Sequence, residues 1–341
     1  MKRRLLLGSA PFIAVALALG AGAVFILAIG ESPLELYGIM ARECFGRGYG
    51  IGQTLFKATP LILTGLAVAI GFRTGVFNIG AEGQMVLGGF AAAMAGLLPL
   101  PGPLRLAAAL LAAALAGGAW GALPGLLKAR FGAHEVINTM MLNFVAYALV
   151  AWMGHSVFEH ATVRTATLPE SAWLPRLGAF FPALHGSPAN LSLLLALLAA
   201  LGLHLLLFRT RLGYELRVVG SNPAAGEYGG IAPGRAQALA LAISGAAAGL
   251  AGIAFVLGYK HYFELGFSAG AGFLGIAVAL VGRNHPFGVV VAALFFGALS
   301  YGGLVVNQRV PKELVDALQG LVILFAIATQ QVMERLARRL A

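Results

Sequence analysis

Charge is scarce in this sequence. Only 11% of its 341 residues are Asp, Glu, Lys or Arg, against about a quarter in a soluble domain. A globular fold of this length exposes more surface than so few charges can solvate, which excludes an ordinary soluble protein. Disorder is excluded from the other side, because 59% of the residues are hydrophobic and there is ample apolar surface to bury. The single cysteine, Cys44, can form no internal disulfide and has no second thiol with which to hold a metal. Its role is open. Motifs are scarce as well: there is no phosphate-cradling Gly-x-x-x-x-Gly-Lys loop, indeed no Gly-Lys pair, and no His-Glu-x-x-His. The sequence therefore points to no enzyme, no ATP site of its own, no cofactor and no metal.

What is present is a series of long apolar runs. Windows of about 19 residues give ten transmembrane segments, at 11–30, 52–71, 82–98, 106–127, 136–154, 191–208, 237–257, 270–281, 287–306 and 314–333. The fold class expected is an all-α, polytopic membrane protein, with residues 1–341 forming one transmembrane domain. The start, Met1-Lys-Arg-Arg, imitates a signal peptide, but the run from Leu5 to Ile29 exceeds a cleavable core of about 7–15 residues and is read as an uncleaved first span. The eighth segment is too short to cross as one straight helix. It abuts Arg283-Asn-His-Pro-Phe-Gly, which suggests an interrupted element packed inside protein, since irregular backbone survives at membrane depth only there or beside water. At that break Pro286 lacks a backbone donor, and Asn284 is expected to cap the half-helix that follows.

The net charge of +10 is spread in short groups between the apolar runs, a positive-inside pattern and not a nucleic-acid surface. With the N-terminus inside, Arg73, Lys128, Arg130, Arg209, Arg211, Arg217, Arg235, Arg283, Arg335, Arg338 and Arg339 all fall on the cytoplasmic side, and both termini are cytoplasmic. The long connection at 155–190 is then external. Its prolines, Trp173 and Phe180-Phe181 suit either a loop lying at headgroup level or a docking surface for an extracytoplasmic partner.

Few polar groups are deep. Of the carboxylates only Glu82 is placed well inside, and His204 on the sixth span reads as a packed, hydrogen-bonded histidine. The stretch from Gly71 to Gln84 holds four glycines with Asn78, Glu82 and Gln84. It is either a capped cytoplasmic turn or a helix break that presents polar groups to a cavity. In the loop 209–235, Asn222 is a favoured N-cap, Pro223 suits the first helical position, and Gly229-Gly230 can stop the turn.

The string GFRTGVFNIGAEGQMVLGGF, starting at Gly71, resembles the signature of ABC-importer permeases of the branched-chain amino acid, simple-sugar and nucleoside group. Three further strings match in order: His134-Glu-Val-Ile-Asn-Thr-Met-Met-Leu-Asn-Phe, Gly220-Ser-Asn-Pro-Ala-Ala-Gly-Glu-Tyr-Gly-Gly-Ile, and the run from Gly272 to Gly288. Together they look most like the purine-nucleoside branch. The resemblance implies two four-helix repeats running in opposite directions, at about 52–154 and 236–333, with interruptions near Asn78 and Asn284 in related positions. It makes Asn78, Glu82, Gln84, Asn138, Asn143 and Asn284 candidates to line the substrate path. Asn138 and Asn143 project about 140° apart on a helix, so both cannot face one seam. It also makes 209–235 the segment that couples to an ATPase: Ala225 and Tyr228 enter its cleft, Gly220 and Ile231 fix the short helix to the bundle, and Asn222, Pro223 and Gly230 shape it. The partners implied are a second, unlike permease, an ATP-binding subunit and an extracytoplasmic substrate-binding lipoprotein, in a bacterial cytoplasmic membrane. The solute implied is a nucleoside or similar small polar molecule. The rival reading is an ion- or proton-coupled carrier acting alone.

Overall fold

A computed structural model of the chain describes residues 2–159 and 162–339. Met1, His160, Ala161, Leu340 and Ala341 lie outside the described residues, as do the side chains of Arg338 and Arg339 in the basic tail. The helices are α1 Lys2–Ala28, α2 Pro33–Phe45, α3 Gly48–Arg73, α4 Ala81–Gly96, α5 Gly102–Phe131, α6 Glu135–Gly154, α7 Ser192–Arg209, α8 Arg211–Ser221, α9 Pro223–Tyr228, α10 Pro233–Ala251, α11 Ile253–Phe255, α12 Ala271–Val281, α13 Pro286–Val306 and α14 Lys312–Arg339. Between the described residues the only β-type pairings are isolated bridges in loops. Seven helices, α10 counted through Lys260, are long and apolar enough to cross a membrane, and an eighth crosses if α1 and α2, bent by 119° to each other, form one span. The segments expected at 82–98 and 270–281 are helical but short. At 16 and 11 residues, α4 and α12 rise about 24 and 17 Å, less than a hydrocarbon core of about 30 Å.

α3 is the hub. Of its apolar stretch 83% is buried inside the protein, against 22% for α5 and α6, which turn most of their surface outward. Pro60 lies in its interior and leaves the Phe56 carbonyl without a helical donor, while Thr59 and Thr64 donate back to the Leu55 and Pro60 carbonyls, at 2.8 and 3.0 Å. α10, α12 and α13 pack around it.

The tightest helix pair is α5 against α10, and glycine makes it possible. A Cβ on Gly117 would collide with the carbonyl oxygen of Gly245, and one on Gly249 with that of Ala113. In lipid such close backbone approach is what drives association, because lipid tails are as apolar as the side chains they contact.

One expectation is corrected. Asn284 does not cap α13. It has φ of +52° and closes the end of α12 through its N–H to the Ala279 carbonyl (2.8 Å), while His285 occupies the cap position with no side-chain bond. Asn visits the left-handed region more readily than most residues, so it serves here as a stop. The connection 155–190 is stitched to the segment after α11. Thr165, Leu168 and Leu174 donate to the carbonyls of Phe263, His261 and Leu257 at 2.7–2.9 Å, and Trp173 stacks on His261 with ring centroids 3.9 Å apart. Phe180 and Phe181 remain exposed.

The glycine seam gives a paired test. Gly117→Ala forces α5 off α10 and should cost about 1–3 kcal/mol, seen as a lower midpoint when the detergent-solubilised protein is heated. The same change at Gly202, where an added Cβ meets nothing within 4 Å, should leave the midpoint unchanged or slightly raised.

Candidate functional site

The site is built on a broken backbone. After Arg73 the chain leaves α3 through Gly75, at φ +72°, and runs non-helically to Gly80 before α4 begins. A non-helical segment in the bundle interior needs partners for its polar groups, and side chains supply them. Asn78 is wholly buried. Its Oδ1 accepts from Gly80 N–H at 2.9 Å, and its Nδ2 donates to Gln84 Oε1 at 2.9 Å and to Ser244 Oγ at 2.7 Å. Ser244, on α10, donates in turn to the Ala67 carbonyl on α3. Asn143 reaches in from α6: its Oδ1 accepts from Gly83 N–H at 2.8 Å and its Nδ2 donates to the Ile79 carbonyl at 3.0 Å. Three helices thus hold one seven-residue break.

Glu82, 1% exposed, sits in the first turn of α4. Its carboxyl accepts from Gly272 N–H at 2.7 Å, from Tyr147 OH at 2.9 Å and from the Ser268 hydroxyl. Gly272 lies in the first turn of α12, so the two half-helices meet N-terminus to N-terminus with one acidic group between them. Helix N-termini carry unpaired N–H groups and the positive end of the dipole, which favours an anion there. The approach is so close that a Cβ on Gly272 would strike the backbone of Glu82.

Of the residues singled out from sequence, Asn78, Gln84 and Asn143 come together around the first break, and Glu82 joins it to α12. Asn138 does not take part: its Nδ2 is buried without a hydrogen-bond partner, as the 140° offset from Asn143 implies. Asn284 is elsewhere too, its carbonyl accepting from Arg73 Nε at 2.9 Å. The interruption brought against Glu82 is therefore the stretch between Lys260 and Ala271, and not the turn at Asn284. His204 is packed among Phe208, His285 and Phe287, but its Nδ1 has no hydrogen bond.

Beside Ser268 a half-enclosed cavity of about 500 Å³ opens between α3, the α12 break, α13 and α14. Its polar wall is Lys57, Ser268, Ser300, Asp316 and Gln319, and Phe255, Phe267 and Phe273 supply flat apolar faces. Gln319 donates to Ser300 Oγ at 3.3 Å. None of the six path candidates borders this cavity; Glu82 and its neighbours form the wall behind it. Lys57 was legible in the sequence as a lone charge within an apolar run, about 14 Å along α3. Tyr147, Ser244 and Ser268 carried no such signal. Gly266-Phe-Ser-Ala-Gly270 has the spelling of a nucleophile elbow, but no strand leads into it and Ser268 is bonded to Glu82 and Tyr147, with no histidine among its described partners.

In the cytoplasm-facing reading of the sequence, loop 209–235 was to carry a short helix, and α9 occupies Pro223–Tyr228. Asn222 Oδ1 accepts from Ala225 N–H at 3.2 Å and Gly230, at φ +79°, makes the left-handed stop. Gly220 lies against the end of α3, where a Cβ would hit the Arg73 carbonyl oxygen, and Ile231 packs on the core. Ala225 is exposed and Tyr228 is 98% exposed.

Apolar helices long enough to cross a membrane, packed around broken half-helices with a cavity beside the break, define a polytopic helical membrane protein. The comparisons narrow it: residues 50–327 match the family model described as branched-chain amino acid transport system / permease component, and the chain belongs to that family. It is 41% identical to the guanosine ABC transporter permease protein NupP of Bacillus subtilis, over 94% of this chain and 92% of that one. It is 35% identical to the glucose ABC transporter permease protein TsgB13 of Haloferax volcanii, over 94% and 87%. With the nucleoside ABC transporter permease protein NupB of Lactococcus lactis the identity is 32%, over 95% and 91%. The chain is accordingly a transport component and not an enzyme.

The Glu82 junction is open to direct test. Glu82→Leu leaves the Gly272 N–H without an acceptor and the Tyr147 and Ser268 hydroxyls with only each other, so that one of the two also lacks an acceptor, at about 1–3 kcal/mol for each buried group left unpaired. A clear fall in thermal midpoint and in folded yield is expected, with Glu82→Gln, which keeps one acceptor oxygen, in between.

Proposed function

We propose that this chain is the membrane-spanning subunit of an ABC importer that carries nucleosides, or a similar small polar solute, inward across a bacterial cytoplasmic membrane. It works with a second, unlike permease, a separate ATP-binding subunit and an extracytoplasmic substrate-binding lipoprotein, and both its termini face the cytoplasm. The observation that carries this reading is the near-full-length likeness to permeases named for guanosine and nucleosides. The basic residues at one end of the bundle support the orientation.

In this reading the chain has ten membrane elements, with α4 and α12 as the third and eighth, in two repeats of opposite direction at about 52–154 and 236–333. The meeting of their N-termini at Glu82 is the arrangement an inverted repeat produces. Solute passes along the cavity beside Ser268. An ionisable side chain within a span marks a substrate path by default, and Lys57 is that residue. Of the path candidates, Asn78, Glu82, Gln84 and Asn143 act at the broken backbone next to the path, holding it in a form that can shift when the ATPase moves α9. The exposed Ala225 and Tyr228 enter the ATPase cleft, and Gly220, sealed against α3, passes the motion to the break.

The deciding experiment is uptake of labelled guanosine into vesicles holding this chain with its partner permease and ATPase, with and without ATP. Uptake that needs only this chain and an ion gradient would favour a self-powered carrier instead. Within the complex, Ala225→Arg should abolish both ATPase co-purification and uptake while the chain still folds. Lys57→Met should raise the solute concentration for half-maximal uptake about tenfold, equal to about 1.4 kcal/mol, with basal ATP hydrolysis unchanged.

A further inference from the structure

The cavity beside Ser268 ends against the start of α12: Ser268, Ala269, Gly270 and Ala271 all lie in its wall. The positive end of an 11-residue helix, set at the foot of a cavity, would by itself draw an anion in. The chain has already put one there. Glu82 takes the Gly272 N–H, and Ser268, which lines the cavity, donates to the same carboxyl. The carboxyl therefore stands one hydrogen bond behind the cavity wall.

The groups bonded to the Glu82 carboxyl are neutral donors, the Gly272 N–H and the Tyr147 and Ser268 hydroxyls. That set suits a carboxyl in its ionised, acceptor-only form. No ion pair among the described residues involves Glu82, so no cation in contact cancels its charge. It is buried, and solvent ions screen it little. A buried charge beside a cavity with low-dielectric walls projects its field into that space. The cavity's own wall carries one charge of each sign, Lys57 and Asp316. The carboxyl behind the wall tips that balance to negative.

We infer that Glu82 sets the charge selectivity of this cavity: it turns away anions, a phosphorylated form of the solute among them, and admits neutral and cationic molecules. Glu82 does this without touching the solute. It holds in advance the place at the N-terminus of α12 that a phosphate would otherwise take, and its field acts through Ser268. This role rests on the cavity being the solute path, whereas the field itself can be measured on the chain alone.

The probe is a cysteine in the cavity wall, Ser300→Cys, in the full-length chain with Cys44→Ser, purified in a neutral detergent. Its modification rates are measured with sulfonatoethyl and trimethylammonium-ethyl methanethiosulfonate, each divided by the rate with a free thiol in solution. On that scale the cationic reagent should react about tenfold faster than the anionic one. Glu82→Gln should remove most of this preference, and Glu82→Asp, which keeps the charge, should retain it. An undiminished preference in a folded Glu82→Gln chain overturns the inference, as do equal rates with Glu82 present. Should neither Glu82 variant fold, Asp316→Asn takes their place. A cationic preference that survives loss of that second carboxylate supports Glu82 as its source, and a preference that disappears assigns the field to Asp316 and overturns the inference. Because these rates are read without transport, a failure of guanosine uptake bears on the proposed function and not on the charge of the cavity.

Discussion

The interior of this protein turns on one carboxyl group. Two half-helices too short to cross the membrane, α4 and α12, end inside the bundle with their N-termini facing each other, and each terminus presents unpaired N–H groups in a medium without water. Left alone, that meeting would be strongly unfavourable, since both ends carry partial positive charge. Glu82 lies between them, accepting from α12 through Gly272 and from Tyr147 and Ser268 on either side. The Gly272 position without a Cβ lets the backbones come close enough for the contact to form.

The rest follows from keeping that junction in place. The break before α4 is held by Asn78, Gln84, Ser244 and Asn143, which tie α3, α6 and α10 to the same few residues. α10 is held in turn by the glycine seam with α5. A break so fully hydrogen-bonded is rigid in one arrangement, and its bonds tie it to α3, α6 and α10. A shift of any one of them would disturb the whole set. The loop bearing α9 touches this system through the Gly220 contact with the end of α3 and through the packing of α8 and α9 on α10. Motion at the exposed Tyr228 therefore has a short mechanical route to the break.

The same need to satisfy groups that water cannot reach runs through the described interior. Its buried side-chain atoms without a hydrogen bond are Asn138 Nδ2, His204 Nδ1 and Asn284 Oδ1, all outside the network at the break.

The sequence by itself determined the class of protein and the positions of its elements. Apolar runs interrupted by glycine and polar residues can form only helices in lipid, and their boundaries are set by the same composition that makes them insert. The N-cap at Asn222, the stop at Gly230 and the short eighth segment were legible because each depends on neighbours within a few residues. Asn143, Asn78 and Glu82 could be singled out as polar groups in apolar surroundings, but not their partners. Those are 60 to 190 residues away in the chain, at Gly83, Ser244 and Gly272, and no local pattern marks them. Only the tertiary structure decided that Asn284 stops one helix instead of capping the next, and that Glu82 meets the N-terminus of α12. Only it placed Lys57 in a cavity wall. Side-chain direction in a bundle is set by which helices meet, and that depends on close packing summed over the whole chain.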